Sequence, residues 1–153
     1  MKILVCLDGS KHSQKALEMT AKIGESCKGE GVGIIYVYDR RPDNYLPFYG
    51  YNGVSLTKEQ MSNIKKIIEK DKKEKKRILS DALKFLKERG IEAHAIFREG
   101  HPSNTIVNVA YKEGFDMIII GSRGLSGLKK VFLGSVSNAV VQEVKDCSVL
   151  IVK

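Results

Sequence analysis

An open, doubly wound α/β sheet with helices on both faces is the fold this sequence predicts, on three observations. Five short apolar runs rich in β-branched residues alternate with four helical stretches. Those runs are near-continuously apolar, as strands buried on both faces are. Strands separated by helices pair in parallel through right-handed crossovers. With 153 residues, 42% of them hydrophobic, the chain can bury one core, and a single domain over 1–153 is expected.

Taken in order, Lys2 to Leu7 is the first strand and ends in the turn Asp8-Gly9-Ser10. Ser10 or Ser13 caps the helix that follows, whose apolar side is Ala16, Leu17, Thr20, Ala21 and Ile23/Gly24, and Gly29 to Gly33 stops it. Val32 to Tyr38 is the second strand. Residues 40–56 hold two prolines, two glycines and three tyrosines without a period and are assigned to a long surface loop. A helical region then runs from Thr57 to Arg89, with the wholly charged Glu69 to Arg77 in its middle expected to project from the body. Gly90 ends it, Ile91 to Phe97 is the third strand, and Pro102 opens the next helix. Asp116 to Ile120, Ser135 to Val144 and Ser148 to Val152 complete the chain as strand, short helix and strand.

Composition narrows the function classes. No apolar run approaches the ~20 residues that span a bilayer, and Met1-Lys2 leads directly into a strand, so a soluble, unprocessed protein is expected. Cys6, Cys27 and Cys147 form an odd set without a CxxC pair, which argues against a disulfide framework or zinc cluster and fits a reducing cytoplasm. His12, His94 and His101 have no metal-ligand spacing. The formal charge of +8 invites a nucleic-acid reading. Its densest part, Glu69 to Arg77, has six basic and three acidic residues, and pairs such as Glu69–Lys73 are what a solvated helix face shows. No reader motif or stacking platform lies beside it, so nucleic acid is disfavoured as a partner.

Ligands of open α/β sheets bind outside the carboxyl ends of the strands. Three places qualify: Asp8-Gly9-Ser10, Tyr38-Asp39, and Gly121 onward. In the last, Gly121, Gly124 and Gly127 can turn amide groups inward as an anion nest, and Gly134-Ser135 starts a helix whose free N–H groups attract an anion. Arg123, Lys129 and Lys130 add charge, and Ser126, Ser135 and Ser137 add hydroxyls. A polyphosphate site fits these residues, and so does a surface loop whose glycines only make turns. The P-loop pattern and G-x-G-x-x-G are both absent. Asp8 is either the site's carboxylate or a turn-forming cap.

Gly121-x2-Gly124-x9-Gly134-Ser135 resembles the G-2x-G-9x-G-[ST] loop of the universal stress protein (UspA-like) family. The first strand with Asp8-Gly9-Ser10, Gly100-x-Pro102, Asp116 to Gly121 and Val149 to Val152 follow that family's order, while Ser148 stands where the family has proline. The resemblance implies a Rossmann-like, adenine nucleotide alpha hydrolase-like sheet of order 3-2-1-4-5. It also implies a homodimer through the last strand and bound ATP, with Mg2+ or Mn2+ carried on the phosphates rather than on protein carboxylates. By the same resemblance Asp8 and Leu7 meet the adenosine, and Val37 lines the adenine pocket. Gly121, Arg123, Gly124, Gly134, Ser135, Val136 and Ser137 hold ribose and phosphates. No general base is supported by a motif, so a nucleotide-dependent sensor or interaction module with a protein partner is expected, with a slow metal-dependent ATPase or a basic nucleic-acid-binding module as alternatives. The tyrosines of 40–56 would close over a nucleotide or pack on a partner.

Overall fold

The computed structural model describes residues 1–26, 31–39, 57–125 and 133–153; Cys27, the 40–56 segment, Ser126, Gly127, Lys129 and Lys130 lie outside the described residues. Along the described chain run β1 (Ile3–Leu7), α1 (Lys11–Ser26), β2 (Val32–Tyr38), α2 (Lys58–Lys87), β3 (Ala93–Glu99), α3 (Pro102–Lys112), β4 (Met117–Gly121), α4 (Ser135–Glu143) and β5 (Ser148–Val152). The five strands form one sheet, parallel throughout, in the order β3-β2-β1-β4-β5. That is the order the resemblance implies.

Strand alternation divides the core in two. Ile3, Val5 and Leu7 of β1 pack with α1 and α2 on one face, while Leu4 and Cys6 pack with α3 and α4 on the other. All five residues of β1 are buried, as expected of the central strand. At the amino end of the sheet, the Lys2 N–H donates to Asp116 Oδ2 at 2.6 Å and the Asp116 N–H donates to Lys2 O at 2.9 Å. Asp116 is thus a structural clasp at the end away from the ligand positions.

Three boundaries and placements differ from the sequence expectation. β3 starts two residues later than Ile91, because the Ile91 N–H donates to Leu86 O at 3.0 Å and so belongs to the end of α2. It also continues through Arg98 and Glu99, which pair with Val37 and Tyr38.

The third difference matters for function. The charged middle of α2 does not project; it lies on the sheet. Lys72 Nζ sits 2.6 Å from Glu99 Oε1, with only 13% of its side chain exposed. The Tyr38 hydroxyl donates to Asp71 Oδ2 at 3.0 Å. Lys72 and Lys76 place their ammonium groups over the Tyr38 and Phe97 rings, at 5.8 and 5.3 Å from the centroids. Long aliphatic stems and cation–π contacts let basic residues cover an aromatic sheet surface that apolar side chains cover elsewhere. Glu69 approaches Lys72 at 3.7 Å, in place of the expected Lys73.

Candidate functional site

The turn after β1 is built by local chemistry. Asp8 Oδ1 accepts from the Ser10 N–H at 2.8 Å, which closes an Asx turn, and Gly9 takes the left-handed φ of +84° that such a reversal needs. Ser10 is the cap of α1: its Oγ accepts from the Ser13 N–H at 3.1 Å, and the Ser13 hydroxyl donates back to Ser10 O at 2.9 Å. Asp8 is therefore a turn former through one oxygen. Its other oxygen, Oδ2, faces the loop after β4, where a Cβ on Gly124 would lie only 2.8 Å away.

The loop after β4 is fastened at its base. Ser122, buried, receives Gly134 N–H at 2.8 Å and the Ser137 hydroxyl at 3.2 Å on its carbonyl, and its own N–H donates to Val152 O at 2.7 Å. The Ser137 hydroxyl also donates to Gly134 O at 3.0 Å. Gly121 and Gly124 are not among the described glycines with positive φ, so they do not form the expected nest. They are needed for close approach instead. A Cβ on Gly121 would stand 2.7 Å from the His12 carbonyl carbon, and one on Gly124 would press on Asp8.

α4 begins at Gly134 with no side-chain cap. Its first intrahelical bond runs from the Asn138 N–H to Gly134 O at 2.9 Å, which leaves the N–H groups of Ser135, Val136 and Ser137 unsatisfied within the helix. Arg123 lies beside this terminus, its Cα 3.4 Å from where a Cβ on Gly134 would stand, and among the described residues its buried Nε has no hydrogen-bond partner, a costly state for a charged donor. Both features suit an anion.

These elements enclose a cleft of about 710 Å3 across the carboxyl ends of β1, β2 and β4. Leu7, Asp8, Val37, Gly121, Arg123, Gly124, Gly134, Ser135, Val136 and Ser137, the ten residues that the sequence singles out, all line it. Ile35, Pro102, Ile106 and Ile120 add apolar lining to that of Val37 and Val136. The α2 wall contributes Ile67, Asp71 and Lys75, with Lys75 Nζ 3.6 Å from Asp71 Oδ1. Sequence reasoning missed this wall, although Lys72 and Lys75 continue the apolar stripe between Ile68 and Leu79 at four- and three-residue spacing.

Cys6 forms part of the cleft floor, and burial, helped by the nearby Asp8 charge, pushes its thiol far above the ordinary range. Burial likewise raises Cys147, ahead of the Asp116 charge. Cys6 is thus held as the neutral thiol, which is the poor nucleophile. Its alkylation by iodoacetamide at pH 8, followed by peptide mass spectrometry, is expected to be on the order of 100-fold slower in the native protein than in urea. Equal rates would mean that the floor of the cleft is open to solvent. The histidines do not gather: His12 lends its backbone to Gly121, His94 Nε2 lies 3.9 Å from Glu113, and His101 Nδ1 lies 3.2 Å from the Ser103 hydroxyl. Among the described residues no group of metal-ligating side chains forms.

The chain was compared with known proteins. Universal stress protein YxiE of Bacillus subtilis is 36% identical over 152 residues, covering 99% of this chain and 98% of that protein. Universal stress protein MJ0577 of Methanocaldococcus jannaschii is 33% identical over 156 residues, covering 99% and 94%. The solved structure of MJ0577 superposes with a TM-score of 0.75 at 29% identity, again covering 99% and 94%. A universal stress protein from Archaeoglobus fulgidus, solved in complex with dAMP, shares the fold at a TM-score of 0.63 and 19% identity, covering 100% and 98%. The model of the Universal stress protein family matches residues 1–153, and by that match and these relatives the chain belongs to the universal stress protein family.

Proposed function

We propose that this chain binds ATP in the cleft and serves in a stress response as a nucleotide-dependent sensor or interaction module. The observation that carries the proposal is that the uncapped terminus of α4 and Arg123, whose Nε has no partner among the described residues, line the same cleft as an apolar surface of Ile35, Val37, Ile106 and Ile120. Phosphates at the terminus and adenine at the apolar surface would place the ribose at Asp8, between them. The dAMP bound by the Archaeoglobus fulgidus protein of this fold agrees with an adenine nucleotide. Val37 and Leu7 would meet the nucleoside; Gly121, Arg123, Gly124, Gly134, Ser135 and Val136 would hold ribose and phosphates. Ser137 would act through its N–H, since its hydroxyl donates to Ser122 O and Gly134 O.

Among the described residues that line the cleft two cations, Arg123 and Lys75, stand against three carboxylates, Asp8, Asp39 and Asp71. A polyphosphate entering that field is best neutralised by a divalent ion riding on the phosphates, such as Mg2+ or Mn2+. When bound, that ion would supply charge neutralisation; the chain's own contribution is the α4 N–H groups and Arg123. A homodimer through β5 is part of the proposal. Its edge, Val149 to Val152, is uncharged and mostly half-buried, whereas β3 at the other edge carries His94, Arg98 and Glu99. The free thiols of Cys6 and Cys147 fit a reducing cytoplasm, and the whole chain is proposed to act as one domain.

Denaturing the purified protein and analysing the released small molecules, together with calorimetric titration of ATP, tests the proposal. The absence of both a released adenine nucleotide and a binding isotherm would refute it, and rapid phosphate release would favour an ATPase instead. Asp8→Asn keeps an oxygen for the Ser10 turn and loses the charge; Asp8→Ala loses both. Asp8→Ala is expected to weaken ATP on the order of 10- to 100-fold, the cost of one or two hydrogen bonds to a charged group. Asp8→Asn is expected to fall between it and the parent chain. Unchanged affinity in both variants would confine Asp8 to the turn.

A further inference from the structure

The charges of α2 are sorted by direction. Two of its acids are turned toward lysines that face the body, Glu69 toward Lys72 at 3.7 Å and Asp71 toward Lys75 at 3.6 Å, with Glu99 of β3 also on Lys72 at 2.6 Å; Glu59, Glu74 and Asp81 are exposed. Lys66, Lys70, Lys73 and Arg77, four, three and four residues apart, are all exposed and therefore form one outward ridge. Among the described residues none of the four has an ion-pair partner within 4.0 Å. Glu69 and Glu74 fall on the flanks of this ridge, and Ser62, Asn63 and Ser80 extend it without charge. At about 1.5 Å per residue the four cations span roughly 16 Å of a straight rod.

Such a ridge costs the helix stability. Lys66 with Lys70, Lys70 with Lys73, and Lys73 with Arg77 are like-charged neighbours, each unfavourable by about 0.2–0.5 kcal/mol. A merely solvated face is better served by alternating signs, which is what the body-facing side of α2 has. An anionic partner offsets the repulsion.

We propose that this ridge is a docking surface for the phosphate backbone of duplex DNA, read without regard to base sequence. The B-form major groove, about 12 Å wide, admits an α-helix, whereas the A-form major groove of double-stranded RNA is too narrow to be read by side chains. Single strands need stacking platforms, and the ridge has no aromatic residue. A membrane surface calls for apolar residues flanking the cations, yet Met61 and Ile67, the exposed apolar residues of α2, lie away from the ridge by helical phase. This surface is independent of the nucleotide cleft, and its partner is distinct from the one proposed there.

Fluorescence anisotropy with a labelled duplex DNA of arbitrary sequence and about 20 base pairs tests it, on the full-length chain. Four phosphates neutralised predict a slope of log K against log salt near −3.6, or about 150-fold weaker binding at 200 mM than at 50 mM salt. The quadruple variant K66Q/K70Q/K73Q/R77Q, whose Gln residues keep helix propensity, is expected to lose both the binding and the slope while its circular dichroism is unchanged and its Tm is no lower than the parent's, since the like-charge repulsion is relieved. A control variant, K11Q/K58Q/K112Q/K145Q, removes the same charge from other exposed positions and is expected to keep at least half the slope. Equal loss in the control would assign binding to net charge and overturn the ridge. Tighter binding of double-stranded RNA, or of vesicles containing phosphatidylglycerol, than of duplex DNA would overturn the choice of partner. So would no binding of DNA at 50 mM salt.

Discussion

Replacing Gly121 by valine is expected to lower the Tm by about 6–12 °C, more than any change elsewhere on the cleft wall. Gly121 ends β4 against the first turn of α1, and its added Cβ would lie 2.7 Å from the His12 carbonyl carbon and 2.9 Å from the His12 carbonyl oxygen. Both obstacles are backbone, so neither can swing aside; α1 must lift from the sheet or β4 must bend. Overpacking of this kind costs about 3 kcal/mol, and a domain of this size loses about 2–4 °C per kcal/mol. Scanning calorimetry of the apo protein is the measurement. A Tm within 2 °C of the parent, by about the same conversion, would show that α1 is not held against β4 as tightly as the geometry requires.

Gly134→Val should behave in the opposite way: a loss of ATP affinity on the order of 100-fold with little loss of stability. At Gly134 the backbone has φ −67° and ψ 157°, which any residue adopts, and the nearest atom to an added Cβ is Arg123 Cα at 3.4 Å. The apo fold can therefore accept the side chain. What suffers is the anion: two methyl groups would stand over the free N–H groups of α4 and beside Arg123, where the phosphates are proposed to lie. Valine is also a poor N-cap, which accounts for about 1 kcal/mol, or 2–4 °C. Calorimetric titration alongside a thermal melt separates the two effects. A fall in Tm of the size expected for Gly121→Val, or an unchanged affinity, would defeat this assignment.

Much of this was legible in the chain because the signals were local. Ile3 to Leu7, Val32 to Tyr38 and Ser148 to Val152 are apolar runs with clear stops, and the alternation of strand and helix restricts the sheet to a few topologies. The lining of the cleft by Asp8, Gly121, Arg123, Gly124 and Gly134 to Ser137 was legible for the same reason: both segments follow inner strands of the sheet. Three features were not. Ile91 is tied back to the end of α2 by its backbone bond to Leu86, which no side chain announces. The roles of Gly121 and Gly124 depend on His12 and Asp8, which are distant in sequence. The inward course of Lys72 and Lys75 was masked by their charge, since a rule that sends lysine outward cannot see a facing tyrosine, phenylalanine or glutamate on the sheet. Extending the apolar stripe in register through the charged stretch would have found them.

Ser122 gives the molecule a mechanical property. Through its N–H it grips the last residue of β5, and through its carbonyl it grips the start of α4. The base of the loop after β4 and the edge strand of the sheet thus share one residue, through the two peptide units that flank its Cα, as a common fulcrum. Free energy stored on either side of a fulcrum is felt on the other in equal measure. A ligand that tightens the α4 side and a second copy that tightens the β5 side would each raise the other's affinity by the same factor. On the proposed reading, in which this chain binds ATP and pairs with a second copy through β5, coupling the two needs no travelling wave of conformational change, only a stiff Ser122.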